Sequence, residues 1–166
     1  MKRSSRSEAE KVFAREIPVF YFSNPNSLIA DNDTTFAPVG SQELDYELEL
    51  GVVIGKRGCD IPPIRAWEHV TGFTIINDFS ARDLQGAEME VGLGPAKGKD
   101  FATAVGPMLV TRDQVSDRIS GEKISLEVRA RLNGRSLSFG NTSALHHSFP
   151  KMIAQRRATR ICFPAI

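Results

Sequence analysis

Residues 45–56 read DYELELGVVIGK. Leu44, Tyr46, Leu48 and Leu50 alternate with Asp45, Glu47 and Glu49. A period of two is the period of a β-strand, because successive side chains leave the backbone on opposite faces. The stretch therefore predicts a strand with one apolar and one acidic face, continued by Val52, Val53 and Ile54 and stopped by Gly55. Glu47 and Glu49 then project from the same face, with Cα atoms about 6.7 Å apart. Carboxylates so placed repel unless something cationic lies between them, and a hard divalent ion with oxygen ligands meets that need. On spacing alone, the solvated face of an edge strand, shared with Glu43 and Asp45, is the commoner reason for such a pattern.

Outward from this strand the chain alternates short apolar runs with turn residues. On the N-terminal side, Ile17–Phe22 (IPVFYF) predicts a strand closed by a turn at Ser23-Asn24-Pro25-Asn26. Residues 31–43, with Pro38 and Gly40, predict a loop. On the C-terminal side, Pro62–Val70 predicts a short helix with Pro63 in its first turn. Phe73–Ile76 predicts a strand, and Ser80–Gln85 one helical turn with Ser80 as N-cap. Residues 86–98 hold four glycines and Pro95 and predict a long loop, followed by a strand over Pro107–Thr111. Ile124 to Leu132 alternate, Asn133-Gly134 follows, and Ser136–Phe139 completes a hairpin pattern, since both turn residues tolerate positive φ. Thr142–Gln155 predicts a helix interrupted at Pro150. The sum is a mixed α+β fold, mostly β.

The chain has 166 residues, which suits one domain, and 25% charged and 41% hydrophobic residues suit a globular protein. No apolar run approaches the roughly 18 residues of a membrane span, so no membrane is expected. The N-terminus lacks the apolar core of a secretory signal. Cys59 and Cys162 are the two cysteines, so a disulfide framework is excluded and a reducing cytoplasm is expected. The net charge of +1 gives no bulk attraction to nucleic acid. It conceals an acidic middle: residues 17–150 hold 12 bases against 17 acids, while 151–166 hold four bases and no acid.

Two further positions carry chemistry. Asp78 ends an apolar strand just before a helical turn, where polar groups emerge from a sheet toward ligands; a plain turn aspartate would sit there too. Lys97 and Lys99 follow the Gly-rich stretch. Such a loop either places an ammonium on an anionic substrate or is merely solvated, and no phosphate-loop pattern accompanies it.

The succession DYELELGVVIGK (45–56), TGFTIINDFSARDLQ (71–85) and GKDFATAVGP (98–107) resembles the fumarylacetoacetate hydrolase superfamily, over roughly residues 17 to 155. Three motifs in the same order make the likeness specific. It implies a distorted β-roll fold with short helices, commonly a homodimer. It also implies a metal-dependent hydrolase that cleaves a C–C bond in 2-oxo acids or 1,3-dicarbonyl compounds, or a decarboxylase or isomerase sharing the enolate intermediate. By position, Glu47, Glu49 and Asp78 match the divalent-metal ligands, with Mg²⁺ expected first and Mn²⁺ or Ca²⁺ as alternatives. Lys99 matches the catalytic lysine, Thr103 the threonine beside it, Arg82 and Gln85 substrate contacts, and Tyr21 a tyrosine near the substrate carboxylate.

Two departures shape the expectations. Asn26 stands where many members carry the histidine that activates water, and Asn has no useful basicity. His146 and His147 are the substitutes by type, although a surface or packing role fits them better. The resemblance fades near Gln155, and the chain ends in RRATRICFPAI. The expected organisation is therefore an arm at 1–16, a partial catalytic domain at 17–155 and an atypical tail at 156–166. A domain lacking its closing strands would expose apolar surface or a sheet edge and show little turnover, or persist as a non-catalytic homologue that binds metal or dimerises.

Overall fold

The computed structural model describes residues 15–92 and 94–156. The arm expected at 1–16 lies outside the described residues up to residue 14, and the tail expected at 156–166 lies outside them from residue 157. In chain order the strands are β1 (Leu28–Ile29), β2 (Leu44–Asp45), β3 (Leu48–Ile54), β4 (Val70–Asp78), β5 (Ser80–Ala81), β6 (Thr103–Val105), β7 (Val110–Thr111), β8 (Ile119–Ser120), β9 (Lys123–Ile124), β10 (Glu127–Leu132) and β11 (Arg135–Asn141). The α-helices are α1 (Arg82–Glu90) and α2 (Phe149–Arg156). Tighter 3-10 turns fall at Pro25–Ser27, Pro63–His69, Arg112–Arg118 and Thr142–Ala144. The fold is mixed and mostly strand, as the hydrophobic periodicity requires.

The chain divides into two compact units. Within the described residues the first comprises 15–20, Leu50–Phe73 and 109–156. Its core is apolar: Ile54, Ile61, Ala66, Val70, Phe73, Ile124, Phe149 and Ile153 cluster together. Phe149 and Ile153 stand four apart on α2 and so share the face that packs on the Pro63–His69 turn. Trp67 lies edge-on to Phe73 with ring centroids 6.2 Å apart, and its indole N–H donates to the Gly121 carbonyl at 2.9 Å. β7 pairs antiparallel with the start of β4, Gly72 opposite Thr111. A Cβ at Gly72 would stand 2.3 Å from the Val110 carbonyl oxygen, so this pairing needs glycine. β10 and β11 form the expected hairpin, with Asn133 and Gly134 at φ 50° and 79°.

The second unit comprises Tyr21–Glu49 and Thr74–Met108. β6 pairs in parallel with β1 and antiparallel with the end of β4, which sets Thr103 opposite Asp78. β2 pairs antiparallel with β5, setting Asp45 opposite Ser80. Its interior inverts the usual pattern. Among the described residues its buried hydrophobic side chains are Ala81 and Ala102, whereas Ser41, Thr74, Asp78, Ser80, Lys99 and Thr103 are buried polar ones. Buried charge is expensive unless paired, so this unit is built around a polar site rather than an oily core.

Several local expectations are corrected. Ile17–Phe22 forms no strand, because context overrides β-propensity there, and Val19, Phe20 and Phe22 are exposed. The acidic strand is broken at Tyr46 and Glu47 into β2 and β3. Ser80 belongs to β5, and its hydroxyl donates to the Asp78 carbonyl; Ala81 is the N-cap of α1, with no side-chain cap. The helix runs on through Gly86 to Glu90, because Ala87, Glu88, Met89 and Glu90 favour helix enough to carry one glycine costing about 1 kcal/mol. The long loop therefore starts after Glu90, not at Gly86. Pro150 does not interrupt a helix but lies in the first turn of α2, where its missing N–H costs nothing. The strand over Pro107–Thr111 shrinks to β7.

Candidate active site

The break between β2 and β3 is what aims Glu47. Its backbone N–H donates to Asn77 Oδ1 at 3.1 Å, and its carbonyl accepts from the Asp78 N–H at 3.3 Å. Residues at the end of β4 thus replace the regular ladder and bring Glu47 beside Asp78. From the other side of β4, the β6 register delivers Thr103, whose hydroxyl donates to Asp78 Oδ1 at 3.1 Å.

Lys99, four residues before Thr103, bridges the two carboxylates. Its ammonium stands 2.5 Å from Glu47 Oε2 and 3.1 Å from Asp78 Oδ2. Lys99 and Asp78 are each only 3% exposed, so this ion pair is desolvated and strong in effect. Tyr21 donates its hydroxyl to Asp78 Oδ2, and its ring lies 5.8 Å from the Lys99 ammonium. Lys97 instead pairs with Asp100 at 2.9 Å in solvent.

Arg82, the first residue of α1, completes the charge pattern. Its Nε donates to Asp45 Oδ2 at 2.8 Å and its Nη1 to Glu47 Oε1 at 2.6 Å. The same Nη1 donates to Gln85 Oε1 at 2.9 Å, the two side chains being neighbours at i, i+3. All the expected site residues (Tyr21, Glu47, Glu49, Asp78, Arg82, Gln85, Lys99 and Thr103) belong to the second unit. A cavity of about 250 Å³ opens beside Lys99, with Tyr21, Asn24 and Asp100 among its walls.

The electrostatics separate the acids. Burial acts against ionisation of Glu47, but the hydrogen bonds from Lys99 and Arg82 win and hold it below the usual carboxylate range. Asp45 is likewise lowered: burial opposes ionisation, but the Arg82 hydrogen bond prevails. Glu49 behaves oppositely. Loss of water around its carboxyl, then the negative charges of Asp78 and Glu47, push it up to about 7. Glu49 is still exposed, so the like charges are the firmer of these causes. Burial and the hydrogen bond to Asp78 push the Tyr21 phenol far above its ordinary value, so it stays a donor at any working pH.

The donor set suits a hard divalent ion. It consists of carboxylate oxygens only, the ligands such an ion takes. Among the described residues no three His, Cys, Asp or Glu side chains are already arranged as a ligand set, and Lys99 bridges Glu47 and Asp78. Holding an ion there therefore requires these side chains to reorient. Asn26 supplies no base: its backbone N–H donates to Asn24 Oδ1 in the cap of the Pro25–Ser27 turn. His146 and His147 belong to the first unit, where they pack edge to face and His146 pairs with the Arg15 carbonyl. Two positions of this cluster escape a pattern-based reading. Asp45 binds Arg82, which its alternation with Glu47 hints at; Asn77 pins the strand break through a contact 30 residues away, which no local pattern reveals.

Residues 1–163 match the family model for the C-terminal domain of fumarylacetoacetate hydrolase. The mitochondrial oxaloacetate tautomerase FAHD2A of Homo sapiens is 37% identical over 139 residues, covering 82% of this chain and 42% of that protein. A probable 2-hydroxyhepta-2,4-diene-1,7-dioate isomerase from Mycobacterium abscessus superposes with a TM-score of 0.74 at 31% identity, covering 89% of this chain and 53% of that one. Fumarylpyruvate hydrolase from Pseudomonas aeruginosa, solved with Mn²⁺ and pyruvate, gives a TM-score of 0.74 at 27% identity, covering 94% of this chain and 68% of that one. The chain spans about half the length of the curated relatives it matches. With a matching family model over nearly its whole length and a shared fold, the chain belongs to the fumarylacetoacetate hydrolase family.

Proposed function

We propose that the chain acts on small 2-oxo acids or 1,3-dicarbonyl compounds through an enolate, with hydrolysis of a C–C bond as the first reading. The observation that carries it is the desolvated Lys99 ammonium held between Glu47 and Asp78 at the edge of a small cavity. Glu47, Glu49 and Asp78 are the residues that would hold a divalent ion, Mg²⁺ or Mn²⁺. Such an ion supplies Lewis acidity toward an oxygen that gains negative charge.

The remaining work falls to the chain's own groups. Lys99 presents a fixed positive charge in a water-poor setting, where it stabilises a developing enolate oxygen more than it stabilises the neutral ketone. Tyr21, kept protonated by its surroundings, offers an O–H to a substrate carboxylate once Asp78 turns from it. Arg82 and Gln85, side by side on α1, bind the carbonyl or carboxylate at the other end. Thr103 orients Asp78. A cavity near 250 Å³ suits a substrate of a few carbons, smaller than a drug-sized ligand.

A second reading, keto–enol isomerisation or decarboxylation, is favoured by one observation: the second unit contains no histidine. The family resemblance agrees, since Asn26 stands where it implies a histidine base. Both alternatives need the enolate but not an activated water. The kinship with the human oxaloacetate tautomerase and the Mycobacterium isomerase supports it as well. Assembly as a homodimer and a cytoplasmic setting belong to the same proposal; among the described residues no helix is long and apolar enough to cross a membrane.

The experiment is a product analysis by NMR. Purified protein is incubated with an acylpyruvate and with oxaloacetate, with and without Mg²⁺ or Mn²⁺. Metal-dependent release of pyruvate from the acylpyruvate is the expected result. Accelerated enol–keto interconversion or decarboxylation of oxaloacetate without cleavage of the acylpyruvate selects the second reading. No metal-dependent turnover of either compound contradicts both.

A further inference from the structure

Glu88 lies one turn beyond Gln85 on α1, continuing the row of Arg82 and Gln85. Its carboxylate accepts three backbone N–H groups: Ala96 at 2.8 Å and Gly98 at 3.1 Å on Oε2, and Lys97 at 2.6 Å on Oε1. Residues 96–100 form a tight turn, closed by the Lys99 and Asp100 N–H groups on the Ala96 carbonyl at 3.0 and 2.9 Å. Such a turn leaves its first N–H groups without partners of its own, and Glu88 takes all three. Gly98 brings the turn hard against the helix: a Cβ there would stand 2.6 Å from the Gln85 backbone nitrogen and 2.7 Å from its Cα. The Gly98 carbonyl also accepts the Ala81 N–H at 2.9 Å, just ahead of α1. The next residue is Lys99.

We infer that Glu88 is a positioning residue, which clamps the 96–100 turn onto α1 and so fixes the Lys99 ammonium between Glu47 and Asp78. The inference rests on the proposed role of Lys99 for its catalytic meaning, but its geometry stands independently. Charge matters to the clamp. A carboxylate has acceptors on both oxygens, whereas an amide turns an N–H₂ toward at least one of the three donors. Lys97, between the clamped residues, keeps its side chain in solvent, so the clamp selects which lysine enters the site.

The test uses the full chain and a readout that needs no substrate. Lysine acetylation by a small amine-reactive reagent is followed by peptide mass spectrometry in wild type, Glu88→Ala, Glu88→Gln and Gly98→Ala. In wild type Lys97 reacts and Lys99 is protected. Glu88→Ala and Gly98→Ala, which break the clamp from opposite sides, are expected to acetylate Lys99 about tenfold faster or more, as for loss of a hydrogen bond to a charged group. Lys97 should be unchanged and Glu88→Gln intermediate. Amide exchange at residues 96–98 should rise in parallel. In the assays above, Glu88→Ala should lower kcat in the wild type but add no further loss in a Lys99→Ala background. Unchanged Lys99 protection in both clamp variants overturns the inference. So does loss of amide protection throughout β4 in all three variants, which makes Glu88 a residue of the fold. Absent turnover in wild type with the expected labelling pattern refutes the proposed function and leaves the clamp standing.

Discussion

Lys99→Ala is expected to lower metal-dependent turnover about a hundred- to a thousandfold, the usual cost of removing one preorganised donor at a developing oxyanion. Lys97→Ala is expected to match wild type, because its ammonium pairs with Asp100 in solvent. The contrast follows from burial. Lys99 is 3% exposed and touches two carboxylates, so its field acts through a poorly screened medium. Lys99→Arg should not rescue: guanidinium is planar and bulky, and the space between Glu47 and Asp78 is shaped for a compact ammonium. The measurement is kcat and kcat/KM for each variant, taken where circular dichroism shows the chain folded. Equal losses for Lys97→Ala and Lys99→Ala would reduce the loop to a general electrostatic attraction.

Asp78→Ala is expected to destabilise the chain by about 3–5 kcal/mol, the range for stripping one partner from a buried ion pair. Asp78 accepts from Tyr21, Lys99 and Thr103 at once. Its removal leaves two hydroxyls without their acceptor and the Lys99 ammonium with Glu47 alone. Asp78→Ala combined with Lys99→Met should cost less than the sum of the two single losses, because each single variant already breaks the Asp78–Lys99 pair. Urea midpoints for the two single variants and the double variant close the cycle. Strictly additive losses would show that Asp78 and Lys99 act independently, against the geometry described.

Much of the site was legible before the fold because its chemistry travels in short motifs. Asp78 at a strand end and Lys99 four residues before Thr103 are local spacings, and with Glu47 they meet in one ion-paired cluster, while Glu49 lies on the same stretch outside those contacts. The Asn133-Gly134 hairpin was legible for the same reason: its turn residues set the pairing by local backbone preference. What stayed hidden depends on distant partners. The alternation at 44–50 suggests an unbroken strand, but Asn77 captures the Glu47 N–H and interrupts it. Ile17–Phe22 has the composition of a strand, yet context overrides its β-propensity and no strand forms there. Glycines at 86–98 suggested a loop, yet Gly86 lies inside α1, and only that helix extension delivers Glu88 to the turn carrying Lys99.

The most direct measurement is hydrogen exchange at C3 of pyruvate in D₂O, followed by ¹H NMR with the purified chain and Mg²⁺. Exchange reports enolate formation itself, the step common to hydrolysis, isomerisation and decarboxylation. Loss of the C3 proton signal well above the buffer rate, abolished by EDTA and by Lys99→Ala but not by Lys97→Ala, is the predicted result. Exchange at the buffer rate with Mg²⁺ present, or equally fast without it or without Lys99, would contradict an enolate site built on Lys99, Glu47, Glu49 and Asp78.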